Sequence, residues 1–140
     1  MLRRARILEV YEVRRGLEVE AARLAASRSD PAGLRELDEL LAHRQELVGA
    51  ATETFVDADL KFHREVIALA GNTLLTELYD QFHEPLRGAL IALVDCEPDL
   101  PDTSGDHAAL LAALHAADPD RAAQATADHF NIVIDMLRKK

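Results

Sequence analysis

The 140-residue sequence predicts an all-α fold, a bundle of six helices, or seven if Pro85 divides the fourth. Three observations carry that expectation. Apolar residues recur at three- and four-residue steps along most of the chain, the spacing of one helix face. Turn and cap residues punctuate the pattern at regular intervals. No stretch alternates apolar and polar over enough residues to make a strand. Ile7, Val10, Tyr11, Arg14, Leu17, Ala21, Leu24 and Ala25 mark one face of a first helix from about Arg3 to Ser27. Asp30-Pro31 then supplies an N-cap followed by a first-turn proline, and a second helix reaches about Gly49. A third runs from about Thr52 to Ala70, where Gly71-Asn72 is a stop signal. The fourth spans about Thr73 to Asp95; Pro85 inside it lacks an N–H and is expected to kink or break it. Glu97 to Gly105, with two prolines and a glycine, reads as the one long loop. A fifth helix covers about Asp106 to Ala116. Asp118-Pro119 repeats the cap-plus-proline signature and opens a sixth, to about Arg138.

The size is that of one domain, and 49% hydrophobic residues with 29% charged describe a globular chain rather than a disordered one. Aromatics make up only 4% and Trp is absent, so aliphatic side chains must build the core. Sixteen Lys and Arg against 25 Asp and Glu leave a formal charge of −9. Such acidity argues against this segment gripping a phosphate backbone, which calls for a basic patch. Cys96 stands alone, so no internal disulfide is expected. No apolar run approaches the ~20 residues of a membrane span, and the basic N-terminus is not followed by an uninterrupted apolar segment of the signal-peptide kind. A cytoplasmic protein without membrane association is the expectation.

Polar residues placed where the periodicity calls for apolar ones are the most informative. In the third helix the stripe is Phe55, Asp59, Phe62, Val66 and Ala70, with His63 one turn beyond Asp59 on the same side. His107 leads the row Leu110, Leu111 and Leu114, and His129 sits in the row Ala122, Thr126, Val133 and Met136. One carboxylate and three imidazoles are thus aimed inward from three helices. A buried carboxylate needs a partner, and two solutions present themselves. Either Asp59 pairs with a protonated histidine while the others bond to backbone or water, or a divalent metal collects all four. The donor set suits zinc first, and accommodates nickel, manganese or iron. His43 lies off the inward row and His115, one turn after Leu111, falls at a helix end, so both are expected in solvent; His83 is a reserve candidate on the fourth helix.

These residues also resemble a known family, the FCD domain, the C-terminal effector-binding domain of FadR-like regulators of the GntR group. Tyr11-Glu12-Val13-Arg14-Arg15-Gly16-Leu17-Glu18 resembles its opening helix, and Asp59-Leu60-Lys61-Phe62-His63 its Asp-x-x-Phe-His element. Ala70-Gly71-Asn72-Thr73-Leu74-Leu75 is similar to its Gly-Asn-x-x-Leu turn. His107 to Leu114 matches its His-containing segment, Ala117-Asp118-Pro119-Asp120-Arg121-Ala122 its Gly-Asp-x-x-x-Ala turn, and His129 falls at the final histidine. The elements occur in order from about Ile7 to Met136. Two positions depart from the pattern: Asp106 stands where the family usually has Glu, and Ala117 where it usually has Gly.

The resemblance implies an antiparallel helical bundle with a metal in its central cavity, held by Asp59, His63, His107 and His129. It further implies a small organic acid as effector, completing the metal's coordination. Arg14, on the inward row of the first helix, is the first candidate for the effector's carboxylate, because a guanidinium fork matches it; a buried ion pair with a glutamate is the other reading. Asn72 and Arg87 are further effector candidates, against readings as a helix cap and a solvated side chain. The implied function is a sensor module in a homodimeric, non-enzymatic transcriptional regulator. The whole chain, 1–140, is then one FCD-like domain. DNA is reached only through a winged helix-turn-helix domain absent from this chain, and Met1 to Arg6 reads as the stub of a linker. Two rivals remain: a metal-dependent hydrolase or isomerase on a helical bundle, and a metal-free helical dimerisation module.

Overall fold

The computed structural model describes residues 4–139; residues 1–3, part of the expected linker stub, lie outside them. Six helices follow in order: α1 Arg4–Arg28, α2 Pro31–Glu46, α3 Thr52–Leu69, α4 Thr73–Cys96, α5 Ser104–His115 and α6 Pro119–Arg138. No strand occurs among the described residues, and no helix is long and apolar enough to cross a membrane.

The starts of the helices are where the cap residues put them. The Asp30 side chain accepts from Gly33 N at 2.7 Å, Asn72 from Leu75 N at 3.1 Å and Asp118 from Arg121 N at 3.1 Å. Each satisfies one of the amides that a helix start leaves without a partner. Gly33 does more than follow a cap, since a Cβ there would lie 2.4 Å from Leu69 Cδ2. A side chain at the start of α2 would therefore make the tip of Leu69, at the end of α3, turn aside.

Two expectations need correction. Pro85 does not divide α4, which continues to Cys96. Pro85 and Gln81 are both exposed, so water can meet the carbonyl that loses its N–H partner, and the helix survives. The loop before α5 is also shorter than the glycine suggested. It ends at Thr103, because the Asp102 carboxylate accepts from Ser104 N at 2.9 Å and draws the helix start two residues forward.

Helix α1 is central, packing against α3, α4, α5 and α6. The buried apolar side chains form two clusters. One includes Ile7, Val10, Tyr11, Leu60, Leu86, Leu93, Phe130 and Val133. The other includes Ala22, Ala25, Leu37, Leu41, Phe62, Leu110, Leu114 and Ala122. Along α1 the order is Tyr11, then Arg14 and Glu18, then Ala22; along α6 it is Ala122, then Thr126 and His129, then Phe130. A buried polar layer thus lies along the border of the two apolar clusters, with Ala21, Ile67 and Ala70 carrying the first cluster past it.

Candidate metal and effector site

Arg14, Glu18, Arg44, Asp59, His63, His107 and His129 make up this layer, each no more than 8% exposed. Two guanidiniums and two carboxylates balance in formal charge. Charges removed from water are tolerable only when paired in this way. Glu18 bridges two of its neighbours: it accepts from Arg14 Nε at 2.5 Å, and its other oxygen lies 2.6 Å from His63 Nδ1. Arg44 donates from Nε to Asp59 Oδ1 at 2.7 Å, and its terminal nitrogens reach Gln45, Ser104 and Thr103. It thereby ties α2 to α3 and to the start of α5. The second oxygen of Asp59 lies 3.7 Å from a terminal nitrogen of Arg14.

The histidines converge. Ring nitrogens of His63, His107 and His129 all lie within 4.8 Å of one another, from α3, α5 and α6. The tautomers follow from the outer partners. His107 Nδ1–H donates to the Thr103 carbonyl at 2.8 Å, and His63 Nδ1–H donates to Glu18. In each neutral ring this leaves Nε2 as a lone pair facing inward. The two Nε2 atoms are 2.8 Å apart, and Asp59 Oδ1 lies 3.1 Å from that of His107 and 3.6 Å from that of His63. Three electron-rich atoms facing one another at these distances require a cation. One is a proton on His63. The other is a metal, for which edges of this size suit ligand bonds of ~2.0–2.2 Å.

The protonation preferences agree with that reading. Burial alone would lower His63, but the adjacent Glu18 and Asp59 carboxylates raise it above the ordinary value. Burial lowers His107. Burial, reinforced by His107 and His63, lowers His129 well below it. Burial would raise Asp59, but His63 and His107 overcome that and hold it well below the carboxylate range. His129 is the odd member: neither of its ring nitrogens has a hydrogen-bond partner, although both are buried. A buried polar atom left without a partner costs about 1–3 kcal/mol. Neutral, unpartnered and beside two inward lone pairs, it fits a metal.

A cavity of 320 Å³ adjoins the layer. Arg14, Arg44, Asp59 and His129 line its buried end, and the turn between α2 and α3 and the loop between α4 and α5 form its mouth. One terminal nitrogen of Arg14 is buried and has no hydrogen-bond partner.

Of the residues the sequence nominated, Asp59, His63, His107, His129 and Arg14 meet here. For Arg14 the two readings hold together, since it pairs with Glu18 and also lines the cavity. Asn72 and Arg87 do not reach it. Asn72 caps α4, and Arg87 pairs with Asp57 at 2.7 Å on the surface. His43 and His115 are exposed, His115 beside Asp38 at 2.8 Å, and His83 is half-buried outside the cluster. Sequence reasoning missed Glu18 and Arg44. Both lie on inward rows, Glu18 four residues after Arg14 and Arg44 three after Leu41, so the periodicity that exposed Arg14 would have found them.

Comparison with known proteins places this arrangement. The FCD domain profile matches residues 9–131, and the chain belongs to the FCD domain family of GntR-type regulators. It is an effector-binding regulatory domain, not an enzyme. Among solved structures it is similar to Streptococcus agalactiae GntR, with a TM-score of 0.75 and 21% identity over 94% of this chain and 58% of that one. It is also similar to E. coli McbR/YncC, with a TM-score of 0.79 and 25% identity over 94% of this chain and 67% of that one. The chain therefore spans about three fifths to two thirds of the length of these regulators. No curated protein sequence matches it.

Proposed function

We propose that this domain is the sensing half of a GntR-type transcriptional regulator. It holds a divalent metal at Asp59, His63, His107 and His129 and binds a small carboxylate beside it. Binding shifts helix packing or the geometry of a homodimer, and a winged helix-turn-helix unit outside these 140 residues reads the shift on DNA in the cytoplasm. The carrying observation is the unpartnered, buried His129 beside the inward Nε2 lone pairs of His63 and His107. Zinc comes first by donor set, with nickel, manganese and iron accommodated. When bound, the metal supplies a Lewis-acid contact for the acid and takes the place of the proton on His63.

The chain's own residues supply the rest. Glu18 and the Thr103 carbonyl hold His63 and His107 in the ligating tautomer. Arg44 turns Asp59 toward the cluster and anchors the first residues of α5, so that a change at Asp59 is felt at the mouth of the cavity. Arg14 presents to an anion a terminal N–H that makes no hydrogen bond within the chain. An effector moves the equilibrium between two packings only by its difference in affinity for them, and these residues join α1, α2, α3 and α5.

The test is elemental analysis of protein purified without chelator, followed by calorimetric titration with zinc, nickel and manganese. About one metal per chain is expected, with His129→Gln weakening it at least ~10-fold. A chain that binds none of the three metals overturns the metal centre and leaves a domain whose histidines are structural.

A further inference from the structure

The cavity has two unlike ends, and the difference bears on which acid it takes. Its buried end gathers polar atoms that make no hydrogen bond: one terminal nitrogen of Arg14 and both ring nitrogens of His129. Beyond them the walls turn apolar, with Phe55, Leu90, Leu93, Val94, Leu100 and Val133 contributed by three helices and the α4–α5 loop. At the mouth the lining residues are exposed or half-buried, and the charged ones are Glu97, paired with Arg4, and Asp102, bonded to Ser104. Among the described residues the cations lining the cavity are Arg14 and Arg44, both at the buried end.

We infer that the cavity selects an amphipathic monocarboxylate, an acid with one charged head and an unbranched or aromatic apolar body, over short hydroxy acids and over dicarboxylates. This rests on the carboxylate-sensing reading above and adds the body of the ligand to it. The head meets the terminal N–H of Arg14 beside His129, where an anion supplies a hydrogen bond to a donor whose one charged neighbour, the second Asp59 oxygen at 3.7 Å, lies beyond hydrogen-bond reach. The body lies along the apolar walls, whose burial an all-polar ligand would waste. A volume of 320 Å³ holds on the order of ten non-hydrogen atoms, at the ~30 Å³ that a water-sized group occupies in a liquid. A second carboxylate at the far end would sit beside Glu97 and Asp102, where Arg4 is already paired with Glu97, so it lowers affinity.

Calorimetric titration of straight-chain monocarboxylates from acetate to dodecanoate, with and without one equivalent of zinc, tests this. Affinity should rise about threefold to fourfold per methylene and level off near ten non-hydrogen atoms. Octanedioate and octanamide should each bind at least ~10-fold more weakly than octanoate. Val94→Asp, on a half-buried part of the wall, should flatten the dependence on length while leaving acetate unchanged. If affinity does not rise with chain length, or octanedioate equals octanoate, the apolar-body inference falls and carboxylate sensing stands. If octanamide equals octanoate, the head assignment falls. If no acid binds under either condition, both readings fall together.

Discussion

The polar layer and the apolar clusters that border it are equally buried, yet different forces hold them. Around Leu37, Phe62 and Leu114 each side chain gains from leaving water, about 1.5–3 kcal/mol apiece, with no directional requirement. Around Asp59 and His63 each group loses solvation and recovers it only through a particular partner at a particular distance. The apolar clusters therefore tolerate a change of shape in proportion to volume, whereas the polar layer fails as a unit. A layer so demanding, bordered by two ordinary cores, is a place where a bound cation or anion can redirect packing.

Substitutions break this comparison to different degrees. Asp59→Ala should have the largest effect, about 3–5 kcal/mol in urea unfolding, because it strands Arg44 and removes a neighbour of Arg14 and two histidines. A loss below ~1 kcal/mol would mean the guanidiniums find water, and that the layer is less dry than its exposure implies. Leu37→Ala, fully buried in the second apolar cluster, should cost about 2–5 kcal/mol. Unlike the first variant, it should leave zinc affinity and the pH profile untouched; a shift in either would show that the two regions are coupled.

The pH profile separates them further. His107 and His129 lie below the ordinary histidine value of 6.5 in the folded chain. The unfolded chain therefore takes up protons first, and stability is lost as pH falls below about 6.5. His63 lies above that value; its contribution is complete below about 6.5 and is lost as pH rises through its raised value. The lowered carboxyls of Glu18 and Asp59 contribute above the ordinary carboxylate range and are lost only in stronger acid. Metal-free protein should thus be most stable near pH 6.5, and zinc should move the optimum upward because it needs His63 neutral. Urea midpoints from pH 5 to 8, with and without zinc, check this; a profile that zinc does not move would contradict it.

Two smaller effects sharpen the contrast with the surface. Ala117 sits at φ 51°, in the left-handed region that an alanine enters at a cost of roughly 1–2 kcal/mol. Ala117→Gly should raise stability by up to about 1 kcal/mol once glycine's greater unfolded freedom is discounted. That gain, readable as a rise in melting temperature, would account for the usual glycine at this turn. Arg87→Ala, far from the layer on an exposed pair with Asp57, should leave melting and acid binding indistinguishable from the parent chain.

Much of this was legible without coordinates because it is local. Asp30, Asn72 and Asp118 cap the helices that follow them through bonds to amides three residues on, and such bonds depend on little beyond the neighbouring residues. Asp59, His63, His107, His129 and Arg14 declared themselves by interrupting apolar rows, since a helix face that points inward does so for every residue on it. Arg87 and Asn72 show the limit of that reasoning. A lone polar residue on no inward row carries no mark of whether it serves a cap, a surface pair or a ligand. Pro85 shows another limit: whether a proline breaks a helix depends on whether water can reach the carbonyl it frees.

The sequence by itself determined the order of the helices and which faces turn inward, because periodicity and caps act within a few residues. Only the tertiary structure decided who pairs with whom. Arg44 reaches Asp59 across 15 positions and His63 faces His107 across 44, and partners so far apart in the chain are chosen by how the helices pack. The nitrogens of His129 and Arg14 that make no hydrogen bond, on which the proposed ligands depend, are likewise a result of packing. The helices packed around these nitrogens bring no group within hydrogen-bond distance of them.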